Sequence, residues 1–186
     1  MKKLKGEWLD LLKTLLIVLG VFLIIRTFLF LPIVVDGPSM KPTLHNGDQM
    51  VVNRFIYDIH EPDRFDVVVF HASEKKDFIK RVIGLPGEHI TVKDDQLYVD
   101  GDEVEEPFLQ ERKEHMPSYQ TLTNDFDLEQ LPGGYETIPD NHVLVLGDNR
   151  NNSTDSRILG LVSMDKIIGK ASLVYWPLDR FQLIHD

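Results

Sequence analysis

Between Thr14 and Ile25 the chain reads TLLIVLGVFLII without a single charge, and after Arg26 it continues as TFLFL to Leu31. A run this apolar has only two stable destinations, a protein core or a lipid bilayer. A helix from about Trp8 to Phe30 would cross a hydrocarbon layer ~30 Å thick at ~1.5 Å per residue. Arg26 then falls near one end, where its side chain can reach the head groups. Ahead of the run, Lys2, Lys3, Lys5 and Lys13 outnumber Glu7 and Asp10. That bias puts the N-terminus in the cytoplasm and everything after the run outside. A cleaved export signal would show a small-residue cut site after its apolar core. Here the run passes into Phe28-Leu29-Phe30-Leu31-Pro32 instead, so an uncleaved anchor is expected; the lysine-rich flank opposes a buried core helix. The chain divides into a cytoplasmic tail and anchor over residues 1–31 and an extracytoplasmic domain over 32–186.

Past the anchor the pattern changes to short β-type runs: 49–57, 66–70, 77–83, 89–93, 96–99, 142–146 and 167–176. Asp94-Asp95 and Asp100-Gly101 supply turn chemistry between neighbouring runs. Many short strands cut by Gly, Pro and Asp, with no long helical period, predict a mainly β, antiparallel domain. One stretch differs in composition. Residues 94–140 carry fourteen Asp and Glu against two Lys and Arg, with Pro107, Pro117, Pro132 and Gly133-Gly134. It is expected to be an acidic, largely solvated insertion. Its charge is read as plain surface.

Bulk properties exclude several functions. A net charge of −10 opposes a nucleic-acid partner, because phosphate binding needs clustered Lys and Arg. The absence of cysteine removes thiol nucleophiles, disulfides and thiolate metal ligands. The seven histidines are scattered without paired metal-ligand spacing, so neither a metal nor another cofactor is expected.

Three stretches carry the candidate chemistry. The first is Gly37-Pro38-Ser39-Met40-Lys41-Pro42-Thr43, directly after the anchor. Its prolines bar a regular helix, and it is expected to be stiff and extended. A Pro-flanked turn is the plainer alternative. The second is Phe78-Ile79-Lys80-Arg81-Val82-Ile83. Strand alternation puts Lys80 on one face with Phe78 and Val82. Burial there would disfavour the ammonium and lower its pKa, which a lysine needs to act as a base; a structural ion pair is the alternative. The third is Gly147-Asp148-Asn149-Arg150-Asn151-Asn152-Ser153-Thr154-Asp155-Ser156-Arg157, a polar loop in which Asp148 or Asp155 could brace Arg157 and Ser153 could orient a buried lysine. Ser73-Glu74-Lys75-Lys76 fits S-x-x-K but lies in a hydrophilic connection without companion motifs, and is taken as chance.

In order and spacing, together with the anchor, these three stretches resemble the type I signal peptidases, and the resemblance covers essentially the whole chain. The single anchor and short insertion look most like the Gram-positive, Bacillus-type members. The resemblance implies a serine endopeptidase with Ser39 as nucleophile and Lys80 as general base. It implies that Ser153 orients Lys80, that Asp155 and Arg157 form a supporting ion pair, and that Arg81 and Asp148 are accessory positions. The Ser39 backbone N–H would serve the oxyanion hole; the serine that some relatives carry two residues earlier is Gly37 here. The substrates implied are exported preproteins with small residues at the first and third positions before the cut. Ile33, Val35, Gly37, Met40, Leu44, Phe78 and Ile79 are the candidate substrate-binding residues. The implied setting is the cell membrane, beside the lipid bilayer and the export machinery. Two rivals are a self-cleaving repressor of the LexA type, opposed by the anchor and the acidic charge, and a membrane-tethered β-rich binding module, which gives no reason for a lysine inside a β run.

Overall fold

The computed structural model describes residues 2–117 and 120–184, the side chains of 2–7, 9 and 23–30 excepted. A 28-residue helix, α1 (Lys2–Leu29), opens the chain. It runs straight into β1 (Phe30–Val34) with no linker between them. Among the described residues no helix is long and apolar enough to cross a membrane. Most of the apolar run's second half, including the Arg26 side chain, lies outside the described side chains.

The strands that follow are β2 (Gln49–Asn53), β3 (Val67–Ser73), β4 (Lys76–Gly84), β5 (Ile90–Lys93), β6 (Gln96–Val99), β7 (Asp102–Val104), β8 (Phe126–Asp127), β9 (His142–Leu146), β10 (Val162–Ser163), β11 (Ile167–Trp176) and β12 (Gln182–Leu183). Two short helices join them, α2 (Gln110–Glu114) and α3 (Ser156–Leu159). The large sheet has the order β1-β2-β11-β3-β4-β9-β10, with β12 added to β11, and the small sheet has the order β7-β6-β5-β8. All pairings are antiparallel.

Strand alternation explains why β3 is buried on both sides. Val67 and Val69 join one apolar cluster with Met40, Leu44 and Val52, while Val68 and Phe70 join another with Val82 and Val145. The small sheet is held by two tight turns. Asp94 and Asp95 both have positive φ, as do Asp100 and Gly101. Two successive left-handed residues match the natural twist of a two-residue hairpin, which Asp and Gly tolerate best.

The acidic stretch is less solvated than its charge suggests. Leu97, Val99, Phe126, Leu128, Leu131 and Ile138 form one buried cluster with Val92 of β5 and with Ile83, Leu144 and Leu146 of β4 and β9. Most of its carboxylates face solvent, with Glu106 buried as an exception, and its apolar residues make a core shared by the two sheets. The other departures from the sequence reading are short elements. The run 49–57 ends as a strand at Asn53 and turns into a 3-10 helix, Ile56–Asp58. Strands of two or three residues, such as β8, β10 and β12, carry too few side chains to show a period.

Candidate active site

The site forms where β4 loses a neighbour. β9 pairs with β4 only from Arg81 to Gly84, ending at Leu146 opposite Arg81. The chain then leaves the sheet at Gly147 and folds back as the polar loop beside Lys80. The other side of β4 remains paired to β3, with Lys80 opposite Val68 and Phe78 opposite Phe70. Lys80 is thus rooted among apolar side chains and only 3% exposed, with its Nζ 5.1 Å from the centre of the Phe78 ring.

The Ser39 segment is a tight turn rather than the extended stretch expected from its prolines. Lys41 N–H donates to the Pro38 carbonyl at 3.1 Å, and Leu44 N–H donates to Met40 at 2.9 Å. Two consecutive turns wind the chain so that Met40 and Leu44 enter the core and Ser39 faces Lys80. Gly37 starts the winding at φ +97°, a conformation that a side chain makes costly, and its N–H donates to Asn46 Oδ1 at 2.9 Å.

Lys80 Nζ lies 2.8 Å from Ser39 Oγ and 2.8 Å from the Ile79 carbonyl oxygen. The carbonyl can only accept, so one amine hydrogen is committed to it. When the amine is neutral its lone pair is left for the Ser39 hydroxyl proton. Burial lowers the Lys80 pKa from 10.5 to about 8, against the opposing pull of Asp155 and Asp148. Desolvation wins because the acids bond to other cations. Burial alone would raise Asp155, but the Arg157 guanidinium, the Gly147 amide and the Ser153 hydroxyl hold it below the usual carboxylate range. Arg157 Nε and NH2 both donate to Asp155 at 2.8 Å. Arg81 Nε and NH2 both donate to Asp148 at 2.9 Å, a fully buried bidentate pair.

Both ion pairs therefore exist, and neither reaches Ser39 or Lys80 directly. Asp155 accepts from Gly147 N–H at 3.0 Å and caps α3, which fixes the loop. Asp148 also accepts from the Thr43 hydroxyl, tying the loop to the turn after Ser39. Ser153 lines the same cleft as Lys80. Its Oγ is buried with no well-formed hydrogen bond among the described residues, although it lies close enough to Asp155 to favour the ionised carboxylate. The Lys80 amine donates to Ser39 and Ile79 rather than to Ser153.

The cleft around the pair has a volume of about 690 Å³. Ile33, Val35, Gly37, Met40, Phe78 and Ile79 line it. Leu44 does not; it is fully buried in the core behind. The S-x-x-K match at Ser73 to Lys76 is the tip of the β3–β4 hairpin, outside the cleft.

Three residues in the motif stretches have roles that spacing alone did not reveal. Asn149 holds the Ser39 turn twice, its N–H donating to the Ser39 carbonyl at 2.9 Å and its Nδ2 to the Pro38 carbonyl at 3.1 Å. Thr43 makes the bond to Asp148 already described. Gly147 is required by space: a Cβ there would sit 2.6 Å from the Ser39 carbonyl oxygen and closer still to Ser153 Oγ. Only contacts across more than a hundred residues of sequence expose these roles.

Known proteins resemble this chain along most of its length. A family model described as signal peptidase, peptidase S26, matches residues 8–176. Signal peptidase I of Bacillus caldolyticus is 46% identical over 157 residues, covering 84% of this chain and 85% of its own length. Signal peptidase I P of Bacillus subtilis subsp. natto is 42% identical over 184 residues, covering 97% and 96%. Among solved structures, a signal peptidase I from Enterococcus faecalis V583 is 38% identical, with a TM-score of 0.56, and matches 60% of this chain and 97% of that one. The chain belongs to the signal peptidase I family, the serine endopeptidases of peptidase family S26.

Proposed function

We propose that this protein is a membrane-anchored signal peptidase that removes signal peptides from exported preproteins with a Ser39/Lys80 pair. The observation that carries the proposal is the 2.8 Å contact between Ser39 Oγ and a lysine amine that is 3% exposed. Neutral Lys80 accepts the Ser39 proton as Oγ attacks the scissile carbonyl. The resulting oxyanion is met by the Ser39 backbone N–H. Lys80 then passes its proton to the leaving amine, giving an acyl-enzyme, and activates a water to hydrolyse it. The Asp155–Arg157 and Arg81–Asp148 ion pairs brace the loop and the turn around the two reacting groups, and Ser153 lines the same cleft.

The substrate lies extended against the open edge of β4, between Asp77 and Lys80. Backbone hydrogen bonds supply affinity there, and alternate side chains enter pockets. The cleft walls are β-branched and aromatic, Ile33, Val35, Phe78 and Ile79, which leaves room for small side chains at the first and third positions before the cut. Membrane anchoring by α1 is supported by its surface. Leu11, Leu12, Leu15, Leu16, Ile17, Val18, Leu19, Val21 and Phe22 are all exposed at once. A helix apolar on every side is at home only where its whole circumference is buried. Cleavage of a purified preprotein tests the chemistry. Ser39→Ala and Lys80→Ala should each abolish it while leaving the domain folded by circular dichroism. Wild-type rates in either variant would refute the pair.

A further inference from the structure

The acidic stretch 94–140 has two basic residues, Arg112 and Lys113, among fourteen carboxylates. Electrostatics alone would pair both with neighbouring acids. Lys113 does stay within the stretch, donating to the Asp95 carbonyl and lying 3.8 Å from Glu106. Arg112 does not. From α2 its NH1 donates to the Lys41 carbonyl at 3.2 Å, the Asp148 carbonyl at 3.1 Å and Asn149 Oδ1 at 3.3 Å. These acceptors belong to the two segments that hold Ser39: its own turn, and the loop whose Asn149 bonds the Pro38 and Ser39 carbonyls.

The base of α2 is fixed independently. Phe108 stacks on the Arg81 guanidinium, with its ring centre 4.0 Å from Cζ. Glu106 forms a buried ion pair with Arg150. Arg81 and Arg150 belong to the strand of Lys80 and to the polar loop, so α2 is anchored on both sides of the site before Arg112 reaches across. A rigidly based guanidinium with a planar fork is suited to spanning several carbonyls.

We propose that Arg112 is a positioning residue for the Ser39–Lys80 pair, a strap from the acidic lobe that locks the Ser39 turn against the 148–149 loop. It touches neither substrate nor the reacting atoms. It acts by keeping Ser39 Oγ within hydrogen-bond distance of Lys80 Nζ. The inference rests on Ser39 and Lys80 being the reacting pair.

The test compares Arg112→Met, Arg112→Lys, Lys113→Met and Ser39→Ala in one preprotein cleavage assay, with thermal unfolding of each. Misplacing a reacting group by about an ångström costs roughly 100-fold in rate. Arg112→Met should therefore lower kcat about 10- to 100-fold with KM little changed and the pH midpoint of activity where it was. Arg112→Lys should recover part of the loss, since a lysine can still reach one carbonyl. Lys113→Met, one residue away on the same helix, should turn over like wild type. The role is overturned if Arg112→Met keeps full kcat, if only KM rises, if Lys113→Met loses as much, or if the loss matches a fall in unfolding temperature that Arg112→Lys does not repair. The two readings fail separately. Cleavage by Ser39→Ala sinks the reacting pair and the strap with it. An inactive Ser39→Ala beside a fully active Arg112→Met sinks the strap alone.

Discussion

Lys80 sits in a conflict between folding and chemistry. A folded-state pKa of about 8 against 10.5 makes roughly one amine in ten neutral at pH 7, about 300 times the fraction of an unperturbed lysine. The same shift burdens the fold. Below pH 8 both folded and unfolded states hold the proton, and the buried ammonium destabilises the native state by at most about 3 kcal/mol. Between pH 8 and about 10.5 the unfolded chain still binds a proton that the folded chain has released, so stability rises with pH across that window. Lys80→Met should therefore be inactive yet more stable than wild type at pH 7, by about 1–2 kcal/mol once the orphaned Ile79 carbonyl is counted. The gain should shrink toward pH 10. Denaturant melts at the two pH values check this; a less stable variant at pH 7 contradicts it.

At the scale of elements, the site is the junction of a turn, a strand and a loop, and Gly147 is where they touch. Its neighbours are the Ser39 carbonyl and the Ser153 side chain, backbone on one side and a pinned loop on the other. Gly147→Ala should force the Ser39 turn outward. It is expected to lower kcat by about 100-fold or more and stability by about 1–3 kcal/mol, read by the cleavage assay and by thermal unfolding. A near-wild-type rate would show that the turn can yield. How much of this was legible in the sequence differs by element. β3 and β4 were, because Val67-Val68-Val69-Phe70 and Phe78 to Ile83 are apolar runs of strand length. The hairpin at Asp94-Asp95 was, because it carries the turn chemistry its geometry needs. The Ser39 turn was not: prolines restrict the chain without saying whether it extends or winds. Nor was the Arg81–Asp148 pair, whose partners are 67 residues apart.

For the whole molecule, the apolar run led to an expected boundary after Leu31, whereas α1 ends at Leu29 and Phe30 and Leu31 already belong to β1 of the large sheet. The acidic lobe hid its structure, because its core residues are spaced singly among carboxylates and find their partners on β4 and β9. Ser39 and Lys80, taken one at a time, read as a turn serine and a strand lysine. Only the ordered set of three stretches, matched to a family, singled them out, and tertiary structure alone brings them together. Ser39 lies only ten positions beyond Leu29, where α1 ends, so the cleft lies a short stretch of chain from the apolar helix.

The most direct measurement is the pH dependence of kcat/KM for preprotein cleavage between about pH 6 and 10. If the free enzyme works through a neutral Lys80, the rate climbs about tenfold per pH unit from the acid side and levels off above a midpoint near 8. A rate that is flat across that range, or that falls as pH rises through 8, would contradict a buried lysine as the base.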